Sequence, residues 1–277
     1  GLPHLTALPR RPEQLLEDYQ VVILGEVDPR DLGRTERESA AFILALKRFV
    51  EAGGGLICQA GEIFMPYAYR GTSLEDLLPV VLADHGERRE NPLNRAASFT
   101  PVLDNPAAPH EVTRLLRNEE TNRLLWREGL EGFYWYSQVR RAKAGATVLL
   151  RHPTRENEYG RHVLAAAWEF MRGRVLFLGV DSTWRWRKYY DNKHFGTFWR
   201  GAVRFCAEGR ISRGSDRAEL RLNERTFETG ERVVVTARLR EEGFVPSTRE
   251  SCTLFFTDPA GGVSRFELPR DPAEAGT

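Results

Sequence analysis

Two short apolar runs with one helical stretch between them restrict the possible folds of this chain more than any other feature. QVVILGEVDP (20–29) has four consecutive apolar side chains and closes with Gly25, Asp28 and Pro29, the pattern of a strand buried on both faces with a loop at its carboxyl end. RTERESAAFILALKRFVEAGGG (34–55) places Ala41, Leu44, Leu46, Phe49 and Val50 at helical spacing. Thr35 is its N-cap, Glu38 follows three residues on, and glycines stop it. GLICQA (55–60) reads as a second buried strand. Strand, helix and strand in this order make a right-handed crossover, and therefore a parallel sheet.

TSLEDLLPVVL (72–82) reads as a short helix capped by Thr72 or Ser73, and residues 83–111 as a long polar excursion containing several prolines. NEETNRLLWRE (118–128) is expected to be helical, and GFYWYSQVRRAK and GATVLLRHP to be strands. RHVLAAAWEFMRGRVLFLGVD (161–181) reads as two strands joined by a tight turn at Met171 to Gly173. The closing helix lies within 189–209, with Phe198, Ala202, Phe205 and Cys206 on one face and Gly209 as its stop. From about residue 211, AELRL, ERVVVTARLR, ESCTLFFTDPAGG and SRFELP alternate with period two, the signature of antiparallel β. We therefore expect an α/β domain over 1–210 and a β-sandwich segment of immunoglobulin-like type over 211–277, cut short at Thr277. The start at Gly1 reads as a piece excised from a longer protein.

Charge and cysteine content exclude some functions. Forty basic residues against thirty-nine acidic ones leave a net charge of +1, so no chain-wide electrostatic case exists for nucleic acid or anionic membrane. The basic stretches RRENPLNR (88–95) and VRRAK (139–143) read as solvated faces. Cys58, Cys206 and Cys252 are too few and too scattered for a disulfide framework or a paired-cysteine zinc site.

The strand VVILGEV, the helix ending FVEAGGGL, and the late phrase GRVLFLGVDSTWRW followed by FWRGAVRF together resemble the class I glutamine amidotransferase-like domains of bacterial membrane-anchored proteins that also carry von Willebrand factor A domains. The resemblance covers about residues 15–210, with DSTWRWR its most specific element. It implies a flavodoxin-like open sheet with helices on both faces, followed by a β-sandwich, within an envelope-associated parent whose side of the membrane the sequence leaves open. It also implies where a nucleophile would stand: on a strained elbow directly after a strand, with a His-x-Glu after a later strand. Here a strand over Gly55 to Gln59 puts the elbow at Ala60 or Gly61 and leaves Cys58 inside the strand as an inert buried thiol. The matching later position reads VDSTWRW, without histidine; His194 reads as a solvated helix residue, and His152 and His162 lie near hairpin ends.

Ligands of open α/β sheets bind beyond the carboxyl ends of the strands. Glu26 and Asp28, Gln59 and Glu62, and Asp181, Ser182, Trp184, Arg185, Trp186 and Arg187 are expected to gather there. They form either a pocket for a small ligand or a partner's side chain, or a set of turn caps and internal pairs, with Arg185 matched to Glu26 or Asp28. No metal or cofactor is expected, since the residue types match neither a calcium loop nor a catalytic zinc triad. Two functions remain open. One is a non-catalytic module that docks other domains or subunits of an envelope-associated assembly, with neither nucleic acid nor membrane as its partner. The other is a thiol-dependent amidotransferase or amidohydrolase using Cys58.

Overall fold

The computed structural model describes residues 12–84, 98–211, 218–222, 230, 232–239, 247–258 and 262–270. His4, His85 and the stretch 88–95 lie outside them. The chain divides into two compact units, Gly1–Gly209 and Arg210–Thr277. In chain order the first contains α1 (Pro12–Asp18), β1 (Val21–Leu24), α2 (Glu36–Glu51), β2 (Gly55–Gln59), α3 (Ser73–Leu77), β3 (Val80–Leu82), β4 (Val102–Leu103) and α4 (Glu119–Leu124). There follow β5 (Val139–Ala142), β6 (Thr147–Asn157), β7 (Gly160–Phe170), β8 (Gly173–Leu178), α5 (Arg187–Tyr190) and α6 (Lys193–Ile211).

The expected crossover is present. Thr35 caps α2 by accepting from the Glu38 amide, and the Glu38 carboxylate reaches back to the Arg34 amide at 2.9 Å, a capping box shifted by one residue. β1 and β2 pair in parallel, with Leu24 opposite Cys58, and β2 pairs in parallel with β8, with Cys58 opposite Phe177. The full sheet runs β1-β2-β8-β7-β6-β4. Beyond β8 every pairing is antiparallel, so the expected parallel sheet accounts for three of the six strands. Turn length decides this: only two residues separate β6 from β7 and β7 from β8, enough for a hairpin but far too few for a crossover. β1 is an edge strand, so its side chains are not all buried as the apolar run implies, and Ile23 is 49% exposed.

Helices cover both faces of the central strands. Leu56 and Cys58 of β2 and Val175 and Phe177 of β8 pack with Phe42, Leu46, Phe49 and Val50 of α2. The alternate residues Ile57, Leu176 and Leu178 pack with Phe198, Ala202, Phe205 and Cys206 of α6. The buried face of α2 differs from the expected one, since Ala41 and Leu44 face water while Phe42, Ile43 and Ala45 are buried. Arg174 of β8 fixes α6 by donating to Glu208 at 2.8 Å and to the Phe205 carbonyl at 3.2 Å, with its guanidinium 4.9 Å from the Phe205 ring centroid.

Two helix boundaries differ from the sequence reading. α3 ends at Leu77, and Val80–Leu82 becomes a strand paired with β5, because Pro79 cannot continue the helix. α6 continues through Gly209 to Ile211; Gly209 serves as a contact point, since a Cβ there would lie 2.8 Å from the Gly53 carbonyl oxygen.

Among its described residues the second unit contains two antiparallel pairs, β9 (Ala218–Leu222) with β10 (Val235–Leu239) and β11 (Ser251–Thr257) with β12 (Val263–Pro269). Phe255, Phe256 and Phe266 on the second pair are more than half exposed.

The fit of α2 onto the sheet predicts a pair of outcomes. A Cβ on Gly173 would lie 2.2 Å from the Val50 carbonyl oxygen and 2.3 Å from that of Gly54. Gly173→Ala should therefore cost about 3 kcal/mol in denaturant unfolding. Gly25→Ala, with nothing within 4 Å of the added carbon, should stay within about 1 kcal/mol of the parent.

Candidate functional site

Cys58 lies within β2, one residue before the strand ends, and is fully buried under α2. Burial alone pushes its thiol up to about 12. Because the thiolate is the attacking species, a thiol with this environment is inert at neutral pH. The described histidines are engaged elsewhere. His110 lies edge-on to Phe205, on the α6 side of the sheet, with ring centroids 4.8 Å apart. His152 is buried in the middle of β6, stacked 4.3 Å from Phe99, its Nδ1 accepting from the Thr154 and Arg155 amides. Burial and the neighbouring Arg155 and His162 push His152 down to about 4, so it is neutral at pH 7. His194 is 4% exposed against Tyr190, which corrects its reading as a solvated helix residue: it faces into the protein from the first turn of α6.

The loops after β1, β2 and β8 do meet. Gln59 Nε2 donates to the Asp181 carbonyl at 3.3 Å, which joins the ends of β2 and β8. The Glu26 carboxylate accepts three consecutive backbone N–H groups, from Ile63 (2.5 Å), Phe64 (2.7 Å) and Met65 (2.9 Å). Gly61 permits this, because a Cβ there would lie 2.2 Å from the Glu26 carboxyl carbon. Asp28 accepts from the Arg30 amide and guanidinium and caps the turn Pro29–Leu32; the Arg30 hydrogen bonds hold its carboxyl below the usual carboxylate range. Ser182 Oγ donates to the Asp181 carboxylate at 2.6 Å, and Glu62 is exposed. Asp28 thus organises its own loop, and Glu26 holds the loop that follows β2.

The stretch 182–187 divides into anchors and one presented side chain. Trp186, expected at the binding surface, is 1% exposed: its ring packs against Trp126, Phe133 and Phe198 at 5.3–5.6 Å, and Nε1 donates to the Glu131 carbonyl at 3.1 Å. Arg185 is matched with neither Glu26 nor Asp28. It donates to the Glu131 carboxylate (3.1 Å) and the Gly132 carbonyl (2.9 Å) and stacks on Tyr134 at 4.6 Å. Lys188 reaches the same carboxylate at 3.3 Å. Burial raises the Glu131 pKa, but Lys188 and Arg185 outweigh it and keep Glu131 ionised below the usual range. Arg187 pairs with Asn192 at 2.7 Å and covers Phe195. Thr183, 2% exposed, accepts from Trp199 Nε1 at 3.2 Å. Trp184 projects from this clamped turn, 59% exposed. Glu131 and Tyr134 are the residues the sequence reading missed; they lie in an irregular stretch with no periodic pattern to mark them.

Among the described residues, no group of three or more His, Cys, Asp or Glu side chains could hold a metal ion, and no helix is long and apolar enough to cross a membrane. No family model and no curated protein matches the sequence. Two solved structures, both of cytoplasmic proteins from Salmonella typhimurium, are similar in fold. One is 19% identical with a TM-score of 0.50, covering 73% of this chain and 76% of its own. The other is 18% identical with a TM-score of 0.51, covering 71% and 75%. At such identities the likeness establishes a shared α/β fold and nothing further.

Two outcomes follow from the burial of these side chains. Cys58 should resist a small alkylating reagent between pH 7 and 9 in the native protein, at a pH well below its raised pKa, and label only on unfolding, as followed by mass spectrometry. Trp186→Ala should cost about 3–5 kcal/mol of stability in urea, whereas Trp184→Ala should shift it by about 0.5 kcal/mol or less.

Proposed function

We propose that this chain is a class I glutamine amidotransferase-like module without amidotransferase chemistry, which works by docking another domain or subunit of an envelope-associated assembly through the surface around Trp184. The observation that carries this reading is the presentation of Trp184: an indole more than half exposed, on a turn whose flanking residues are all fixed. An aromatic on a fixed turn, with the Arg185 guanidinium 6.0 Å from its ring centroid, loses little backbone freedom on binding, and Trp, Tyr and Arg dominate the energetics of protein interfaces. Tyr189, 67% exposed, adds a second ring close in sequence.

The burial of Cys58 supports the non-catalytic part of the reading. The parallel order of β1, β2 and β8, with helices on both faces, supports a flavodoxin-like sheet, and the period-two strands after residue 217 support an immunoglobulin-like sandwich. Placement in a membrane-anchored, von Willebrand factor A-containing parent rests on the resemblance of the DSTWRWR phrase and its surroundings.

The test uses the intact parent protein, with a photo-crosslinking phenylalanine analogue at position 184. Crosslinks to one defined surface, together with loss of that association in Trp184→Ala at unchanged melting temperature, are expected. Glutamine-dependent ammonia release that disappears in Cys58→Ser would overturn the reading in favour of thiol chemistry.

A further inference from the structure

The stretch VRRAK, which reads as a solvated face in the sequence, lines a cavity. Arg140 and Arg141 of β5 meet Arg151 of β6, Arg161 of β7 and Tyr159 of the β6–β7 turn around a space of about 240 Å³ that opens to solvent. Four arginines line one concavity, so the charges that balance each of them decide what the space can accept.

Two of the four are held by carboxylates. Arg140 meets Glu158 at 3.4 Å, and its guanidinium lies 5.5 Å from the Tyr159 ring centroid. Arg151 is paired with Asp104 and donates to the Arg161 carbonyl at 2.9 Å. The other two have no carboxylate partner among the described residues: Arg141 leans on the Tyr159 ring at 5.6 Å, and Arg161 is exposed although its cross-strand neighbour is Glu156. The walls are fixed. Asn157 Nδ2 donates to the Arg140 carbonyl at 2.8 Å and Asn157 Oδ1 accepts from the Tyr159 amide at 2.9 Å, so the hairpin tip is tied to β5. Gly160, at φ 95°, completes the turn in a conformation that favours glycine.

We infer that this pocket binds a small molecule carrying a phosphate dianion, with Arg141 and Arg161 as its direct ligands and Arg140 and Arg151, each offset by its own carboxylate, as fixed walls. Guanidinium groups match phosphate oxygens in bidentate geometry, and Arg141 of β5 and Arg161 of β7, both lining the space, offer two such forks. The volume lies just under the ~300 Å³ at which pockets for drug-sized ligands begin, which suits a phosphate monoester or a diphosphate better than a large cofactor. A nucleic-acid backbone fits less well, because the positive charge is confined to one concavity on a chain of net charge +1.

Titration calorimetry of the whole chain, at low ionic strength, with inorganic pyrophosphate and separately with glucose 6-phosphate tests this. Saturable one-to-one binding of either probe is expected, weakened about tenfold or more in Arg141→Ala and in Arg161→Ala. Both variants should melt as the parent does without ligand. An independent readout needs no variant: either phosphate compound should protect Arg141 and Arg161 from phenylglyoxal in the native protein, as seen by mass spectrometry. The proposal is overturned if neither probe saturates, if binding survives loss of both arginines, or if only a single-stranded oligonucleotide binds.

Discussion

The close approach of two helices to the same pair of strands is the constraint on which the first unit depends. β2 and β8 are adjacent, and each starts with a glycine positioned where a helix or its following turn comes within van der Waals contact of the strand backbone. At Gly55 a side chain would strike the Cys206 carbonyl of α6, and at Gly173 the carbonyl that closes α2. Because these contacts sit at the amino ends of the strands, both helices are pinned at that edge of the sheet. Interior packing near crystal density transmits such positional constraints along the elements. The opposite edge carries the loops at 26–32, 60–66 and 181–187. A rigid base with irregular loops at the other end is a common arrangement for binding sites in α/β proteins.

The sequence made the covalently local part of this architecture legible. The strands at 21–24 and 55–59, the Thr35 cap and the hairpin around Met171 all depend on residues within a few positions of one another, and each forms where expected, although 21–24 is not buried on both faces. Strand direction beyond β8 was less visible, since the crossover pattern at the start of the chain implies a parallel sheet throughout, whereas the later turns are too short to sustain one. Edge position was also hidden: VVIL reads identically in the centre or at the margin of a sheet, and only pairing order exposes Ile23.

For the candidate site the limit was pairing. Glu26, Asp28, Gln59 and Asp181 to Arg187 were found as a group because all follow strands, yet nothing in their spacing tells which carboxylate meets which cation. Arg185 and Lys188 both turn to Glu131, more than fifty positions away, in a stretch whose aromatic and glycine composition carries no period. Trp184 and Trp186 are two apart in sequence, and an extended reading would place both rings on one side. A 3-10 turn separates them by about 240°, so one indole enters the core and the other meets water.

The Glu26 contact has a consequence for the carboxyl edge of the sheet. Backbone N–H groups beyond the carboxyl end of a central strand are a common means by which proteins of this architecture stabilise an incoming negative charge. In this chain the donors of Ile63, Phe64 and Met65 already point at one carboxylate supplied by the neighbouring strand's loop. Such a cradle carries its own tethered anion, at an effective concentration that any free carboxylate would have to outcompete. With all three donors taken by Glu26, the loop after β2 is held as a fixed part of the surface.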